Sequence, residues 1–178
     1  LWKPSPNAIL SNYLVYNIFR EAGLPDGVVS FLPCTPEDIQ PALNDPALAG
    51  LHFTGSTATF NTLWKQIGNN LDTYRTYPRI VGETGGKNFH IIHPSAEVDH
   101  VAFSTIRGAF EYQGQKCSAT SRMYVPKSMW EGQGLKDLMV NVTNSLKMGQ
   151  SDDFKSFMSA VIDRTAFDKH VRYLDAIK

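Results

Sequence analysis

The most reactive side chain in this sequence is the thiol of Cys117, which lies in the segment Glu111–Ala119 (EYQGQKCSA). A cysteine thiolate is a strong nucleophile, and a neighbouring cation such as Lys116 favours its formation. Gly114 and Ser118 are small and let a substrate approach the sulfur. The segment is therefore compatible with covalent catalysis by Cys117. The alternative is a buried cysteine that acts as a small apolar side chain.

A second candidate is Glu83, which ends an apolar stretch and precedes Thr84–Lys87 (TGGK). Enzymes of the α/β class place functional groups at the carboxyl ends of parallel strands. If the apolar stretch is such a strand, the Glu83 carboxylate lies at that edge. The alternative is a surface glutamate that pairs with Lys87.

A third segment, Phe53–Thr57 (FTGST), follows a predicted strand and opens a predicted helix. Gly55 allows the backbone to approach a ligand, and Ser56 with the first free amides of the helix is suited to bind a phosphate. The alternative is that Ser56 only caps the helix. Lys3–Ser5 (KPS) is a lysine beside a turn, and by itself it indicates no chemistry.

The composition excludes several classes of protein. The 178 residues carry 17 Lys and Arg against 17 Asp and Glu, so the formal net charge is +0 and gives no general attraction to nucleic acid or an anionic membrane. No apolar run approaches the ~20 residues of a membrane-spanning helix. The two cysteines, Cys34 and Cys117, form neither a disulfide framework nor a metal-ligand spacing, which favours a reducing compartment. Nor do the five histidines have metal-site spacing: His52, His90, His93, His100 and His170.

Hydrophobic periodicity predicts alternating helices and strands, and hence an α/β architecture with a largely parallel sheet. The predicted helices cover residues 7–22, 36–43, 58–71 and 97–112, with two more after residue 125, and the predicted strands cover 28–32, 50–54, 79–83, 88–92 and 122–125.

The pair Gly85 and Gly86 marks the expected boundary between two lobes, residues 1–85 and 86–178, because glycine allows a sharp turn of the backbone. The chain begins at Leu1 without a signal or transit segment and ends inside a predicted helix. We therefore expect it to be a piece of a longer protein.

Four of these segments, taken in order, resemble the aldehyde dehydrogenase superfamily. The 34-residue separation between Glu83 and Cys117 also matches that family. The motifs that carry the resemblance are Lys3–Ser5 (KPS), Phe53–Ser56 (FTGS), Glu83–Lys87 (ETGGK) and Gly114–Cys117 (GQKC).

Within the superfamily, the segments Pro78–His90 and Phe110–Ala119 look like the Δ1-pyrroline-5-carboxylate dehydrogenase (glutamate-semialdehyde dehydrogenase) branch, particularly its eukaryotic form. Many other relatives have a second glycine five residues after the first in the phosphate-loop motif, where this chain, like that branch, has Phe60. The resemblance implies parts of a Rossmann-like NAD-binding lobe (residues 1–85) and of an α/β catalytic thiol lobe (residues 86–178).

The resemblance implies that Cys117 attacks the aldehyde carbon, that hydride passes to NAD, and that Glu83 activates the water that hydrolyses the resulting thioester. A thiolate divides one difficult oxidation into two easier steps, and a carboxylate can accept the proton of the attacking water. The Cys117 N–H would help to stabilise the oxyanion. The implied reaction is the oxidation of L-glutamate γ-semialdehyde to glutamate in proline catabolism.

The resemblance also implies binding roles for other residues. Ser56 would contact the NAD pyrophosphate and Lys3 the adenosine ribose, with Gly55 and Ser5 in the same cofactor site. Ser118 would help to bind the α-carboxylate of the substrate. From the charge, the apolar runs and the residue spacing we expect no nucleic acid, no membrane and no metal as partners. The resemblance implies a homo-oligomeric parent enzyme in the mitochondrial matrix.

Some features of the family are not found within these residues. Many relatives that prefer NAD have a glutamate three residues after the lysine, where this chain has Pro6, so the motif does not distinguish NAD from NADP. The family's oxyanion-hole asparagine lies before residue 1, and its nicotinamide-ribose glutamate lies after residue 178. We therefore expect these 178 residues alone to be inactive.

Two other classes of function are compatible with the sequence. The chain by itself could be a non-catalytic binding or interaction module, because apolar patches that the rest of an enzyme covers favour association when exposed. A cysteine hydrolase that uses Cys117 with a histidine base is also possible, although no histidine lies near Cys117 in sequence.

Overall fold

Parallel strand pairing organises both halves of the chain. β1 (Gly50–Thr54) pairs with β2 (Arg79–Glu83) in one two-stranded sheet, and β3 (Asn88–Ile91) pairs with β4 (Thr120–Tyr124) in another. Parallel strands cannot be joined by a tight turn, so each pair needs a crossover connection. A helix lies between the strands of each pair along the chain, as the alternating pattern predicts.

The computed structural model describes residues 1–178, which form two units, Leu1–Glu83 and Thr84–Lys178. Unit 1 contains β1, β2 and three helices, α1 (Ile9–Glu21), α2 (Gln40–Leu43) and α3 (Thr57–Asn69). Unit 2 contains β3, β4 and three further helices, α4 (Val98–Phe110), α5 (Leu135–Ser145) and α6 (Arg164–Ile177). None of these helices combines the length and apolar character needed to cross a bilayer.

The core of unit 2 forms where α4 packs against α5 and against the β3–β4 sheet. On α4 the buried residues follow the helical period, since Val101, Ala102, Thr105 and Ile106 are all buried. The hydroxyl of Thr105 lies 2.9 Å from His90 Nδ1 on β3, which satisfies the one buried polar side chain of the core. The cluster of buried residues comprises Ile92, Val101, Ala102, Met129 and Leu135.

The prediction of a strand at residues 28–32 is wrong. Only a single parallel bridge joins Phe31 to Trp2, through hydrogen bonds from the Trp2 N–H to the Ser30 carbonyl (2.8 Å) and from the Leu32 N–H to the Trp2 carbonyl (2.9 Å). Pro4 follows Trp2 closely and Pro33 follows Leu32. Because proline has no N–H to donate, the pairing cannot continue into a ladder.

The helix predicted at residues 36–43 is shorter than expected. The Thr35 hydroxyl accepts a hydrogen bond from the Asp38 N–H, as a cap would, but the α-helix begins only at Gln40. Pro41 lies in its first turn. A proline interrupts a helix interior but is tolerated at its start, so α2 begins where Pro41 permits it.

Leu135 provides a test of this core. It is fully buried at the start of α5. Leu135→Ala should reduce the free energy of unfolding by about 2–5 kcal/mol, since it removes apolar contacts and leaves a cavity. Urea unfolding measures the change. Leu174→Ala on α6, where the leucine is exposed, is the matched control and should have little effect; equal losses in both variants would contradict the described core.

Candidate active site

Cys117 lies in a four-residue turn, Lys116–Ala119, immediately before β4; this segment is called the Cys117 turn. The Ala119 N–H donates to the Lys116 carbonyl at 3.2 Å. A trans peptide points its N–H opposite to its carbonyl, so the Cys117 N–H faces away from the turn, and it makes no hydrogen bond within the chain. The thiol itself is exposed. The turn therefore presents a nucleophile and a free amide donor from the same residue.

The exposure of Cys117 argues against the alternative that it acts as a buried, small apolar side chain. A cysteine that acts as a small apolar side chain is buried, whereas Cys117 and its neighbour Ser118 are both exposed. The other cysteine, Cys34, is partly buried in unit 1. Of the two thiols, that of Cys117 is therefore the more accessible to a reagent.

The backbone that leads to the Cys117 turn is left-handed over three successive residues. Tyr112 and Gln113 both have φ of 59°, and Gly114 has φ of 66°. Positive φ is uncommon for residues other than glycine and concentrates at functional sites. At Gly114 a Cβ atom would lie 2.9 Å from the Ala109 carbonyl oxygen, so glycine is the residue that fits there.

Two glutamines connect this strained segment to residues 159–162. The Gln115 side-chain oxygen accepts a hydrogen bond from the Ile162 N–H at 3.0 Å. In the amide orientation that satisfies its neighbours, the Gln113 side-chain oxygen accepts from the Ser159 N–H at 2.7 Å. Sequence reasoning did not identify either role, because the partners lie more than 40 residues further along the chain.

A third residue that sequence reasoning missed is Asn88, at the start of β3. Its side-chain amide donates to the carbonyl oxygens of Cys117 and Ala119. Its position directly after the ETGGK motif was the only signal in the sequence.

Lys116, next to the thiol, is bound to a carboxylate. Its ammonium lies 2.7 Å from Glu111 Oε2, and Arg107 lies 3.3 Å from the other carboxylate oxygen. The hydrogen bond and charge of Lys116, with a smaller contribution from Arg107, lower the pKa of Glu111 below its usual range. Lys116 is therefore a compensated charge rather than an isolated cation beside Cys117.

In unit 1, the predicted residues Gly55, Ser56 and Glu83 meet at the carboxyl ends of β1 and β2, which we call the β1–β2 edge. Thr54 pairs with Glu83 in the strand register, and the Gly55 N–H donates to the Glu83 carbonyl at 3.0 Å. The Glu83 side chain is exposed. The Ser56 hydroxyl caps α3, accepting from the Thr59 N–H at 3.1 Å.

Phe60 packs directly beneath this edge. A Cβ atom built on Gly82, next to Glu83, would collide with the Phe60 ring. The ring also stacks on Phe53 with centroids 6.0 Å apart and meets Trp64 edge-on at 5.5 Å. The aromatic residue that occupies the position of the family's second glycine thus has room because residue 82 lacks a side chain.

The remaining predicted binding residues, Lys3 and Ser5, lie before α1. The Lys3 ammonium donates to the Pro4 carbonyl at 2.6 Å, and the Ser5 carbonyl accepts from the Ala8 N–H at 3.0 Å. No hydrogen bond joins either residue to Ser56. Metal ligands do not cluster anywhere in the chain.

The sequence profile of the aldehyde dehydrogenase family matches residues 1–178, and the chain belongs to this family. Its fold is part of the aldehyde dehydrogenase fold. A crystal structure of the Δ-pyrroline-5-carboxylate dehydrogenase from Mycobacterium tuberculosis bound with NAD superposes with a TM-score of 0.92 at 44% identity, over 98% of this chain and 32% of that one.

Within the family, the chain is similar to curated Δ1-pyrroline-5-carboxylate dehydrogenases. It is 51% identical to the protein from Agaricus bisporus and 52% identical to the mitochondrial protein from Dictyostelium discoideum. In both comparisons 100% of this chain aligns with 32% of the relative. The chain thus spans about a third of the length of these relatives.

The Glu111–Lys116 pair predicts a dependence of stability on pH. Because the folded state lowers the pKa of Glu111, the pair stabilises the protein above the unfolded pKa of about 4.3, and this contribution is lost as the pH falls through the lower folded pKa. Glu111→Gln should therefore be less stable than the parent chain at pH 7 and as stable as the parent chain once the pH is below the folded pKa of Glu111.

Urea unfolding at several pH values between 7 and about 3 measures this difference. Because the pair is partly exposed, we expect a small effect. Glu131→Gln is the control, since Glu131 pairs with Lys127 only at 3.6 Å with both side chains largely exposed. A difference between Glu111→Gln and the parent chain that stays constant with pH would contradict the assignment.

Proposed function

We propose that the protein containing this chain is an NAD-dependent dehydrogenase that oxidises L-glutamate γ-semialdehyde, formed from Δ1-pyrroline-5-carboxylate, to glutamate in proline catabolism. The observation that carries the proposal is the Cys117 turn, with its exposed thiol and outward-facing amide. About 50% identity along the whole chain to proteins named for this substrate supports the choice of aldehyde.

In the proposed first step, the thiolate of Cys117 attacks the aldehyde carbon. A new S–C bond forms, and the carbonyl oxygen gains the negative charge that the Cys117 N–H stabilises. An amide that already points outward needs no reorganisation to do so. Bound NAD supplies the hydride acceptor that oxidises this intermediate to a thioester on Cys117.

In the proposed second step, Glu83 accepts a proton from the water that attacks the thioester. The S–C bond then breaks, which releases glutamate and restores the Cys117 thiolate. Glu83 suits this role because its exposed carboxylate ends a parallel strand and makes no ion pair with the cations of unit 1.

The first turn of α3 fits the pyrophosphate of NAD. Its unpaired N–H groups and positive dipole end favour an anion, and Gly55 puts no side chain between them and a ligand. Ser56 would add its hydroxyl while it caps the helix. By the family resemblance we assign Lys3 to the adenosine ribose, Ser5 to the same cofactor site and Ser118 to the substrate carboxylate.

We further propose that residues 1–85 form part of the NAD-binding domain and residues 86–178 part of the catalytic thiol domain. The division of the chain into units at Glu83 and Thr84 supports this assignment. We propose the mitochondrial matrix as the location, because several relatives are named as mitochondrial. By the same resemblance, the whole protein is a homo-oligomer.

Removal of the proposed nucleophile should abolish the reaction. In the complete gene product, Cys117→Ala should eliminate the burst of NADH with glutamate semialdehyde and lower kcat on the order of 10³-fold or more, because no covalent intermediate can form. Cys34→Ala, which removes the chain's other, partly buried thiol, should retain the burst. A burst of unchanged size in Cys117→Ala would refute the assignment.

Replacement of the proposed base should separate the two steps. Glu83→Gln should keep the first-turnover burst of NADH but slow steady-state turnover by about 10²-fold or more, since thioester hydrolysis loses its proton acceptor. Stopped-flow absorbance at 340 nm and mass spectrometry of an acylated Cys117 would record this. The control Glu21→Gln replaces an exposed glutamate of α1; if it matched Glu83→Gln, the role of Glu83 would be lost.

A further inference from the structure

The start of the β3–β4 sheet contains an irregularity beside the Cys117 turn. Asn88 pairs with Thr120, but the next residue, Phe89, pairs with Arg122, so Ser121 is an extra residue on β4. Such a bulge interrupts the ladder and changes the direction of the neighbouring side chains. At this point the side chain of Asn88 supplies hydrogen bonds that the backbone ladder does not.

The two acceptors of Asn88 belong to the Cys117 turn. Asn88 Nδ2 donates to the Cys117 carbonyl by a short hydrogen bond and to the Ala119 carbonyl at 3.3 Å. A carboxamide nitrogen carries two hydrogens, so one side chain can serve both oxygens at once. Asn88 is partly buried, whereas Cys117 is exposed, so the support comes from the protein side of the turn.

From this geometry we propose that Asn88 is a positioning residue that holds Cys117 in its reactive orientation, which rests on the proposed role of Cys117 as nucleophile. The peptide before Cys117 is held by the bond from the Ala119 N–H to the Lys116 carbonyl. The peptide after it is held by Asn88. With the peptides on both sides fixed, the directions of the Cys117 N–H and of its Cα–Cβ bond are fixed as well.

This arrangement predicts which property Asn88 controls. A misdirected N–H weakens the stabilisation of the oxyanion, which exists only in the reaction, so the rate of acylation should fall while the affinity for NAD is kept. Alkylation of the thiol by iodoacetamide forms no oxyanion, so it should be much less sensitive. A residue that only completes the sheet would instead affect thermal stability without this selectivity.

The test compares Asn88→Ala and Asn88→Asp with the parent protein, all as complete gene products. Asparagine and aspartate have nearly the same shape, but a carboxylate has no hydrogen to donate and repels both carbonyl oxygens. The matched control is Asn144→Ala, which removes an exposed amide from α5 in the same unit.

We expect Asn88→Asp to slow the first-turnover burst of NADH by about 10–100-fold, a part of the ~10²–10³-fold loss that follows removal of an oxyanion donor. The KM for NAD and the rate of alkylation by iodoacetamide should stay within about threefold of the parent values, a change much smaller than the one expected for the burst rate. A burst rate within threefold of the parent in folded Asn88→Asp would overturn the proposal, and so would equal losses in burst and alkylation rates.

A second measurement does not depend on enzyme activity. Hydrogen exchange of the peptide that contains residues 116–120 should be at least about tenfold faster in Asn88→Ala, because the turn opens more often when its support is lost. If the parent protein oxidises no aldehyde, the proposed function fails, while faster exchange in the variant still supports the positioning role. Unchanged exchange overturns that role in either case.

A third variant, Asn88→Ser, distinguishes lost positioning of Cys117 from partial unfolding of the protein. Asn88→Ser keeps one donor and should give burst and exchange rates between those of the parent and Asn88→Ala. If the burst falls and the exchange rate rises only in proportion to the unfolded fraction, measured by thermal melting, Asn88 supports the sheet alone and the positioning proposal is overturned.

Discussion

A planar trans peptide links Lys116 to Cys117, and the chemistry proposed for this region depends on the direction in which that peptide faces. The Ala119 N–H binds the carbonyl of Lys116, and planarity then sends the N–H of Cys117 the opposite way. A single backbone hydrogen bond thus leaves one donor unsatisfied at the protein surface, beside a thiol. In the proposed reaction, the carbonyl oxygen that gains negative charge would find that donor already in place.

The segments around the Cys117 turn restrict its motion from several sides. Asn88 donates to the Cys117 and Ala119 carbonyls of the turn. Gln115, the residue just before the turn, accepts a hydrogen bond from the Ile162 N–H. Three left-handed residues before the turn have few alternative conformations that preserve these contacts. Local strain and long-range hydrogen bonds therefore act together, which is typical of sites where the position of one side chain matters.

The β1–β2 edge is arranged by a different device, the register of parallel strands. Pairing of Thr54 with Glu83 brings the C-terminal ends of β1 and β2 together. The loop that leads into α3 therefore lies beside Glu83, the last residue of β2. Phe60 packs under this edge only because Gly82 has no side chain. The substitution of an aromatic residue for the family's second glycine is thus matched by a glycine on the adjacent strand.

From the sequence alone we predicted the alternation of helices and strands and their parallel pairing. Through the family resemblance, the sequence also indicated the two side chains on which the proposed chemistry depends, Cys117 and Glu83. The elements follow from hydrophobic periodicity, which is local, and the two side chains follow from the order of four motifs along the chain. The strand predicted at residues 28–32 failed because its pairing ends at Pro4 and Pro33, on two separate segments. The three-dimensional structure was needed to show that the Cys117 N–H is free and that Asn88 and Gln115 bind groups in and beyond the turn. Their partners lie 29 and 47 residues away, and no short-range pattern records which distant backbone groups a polar side chain will meet.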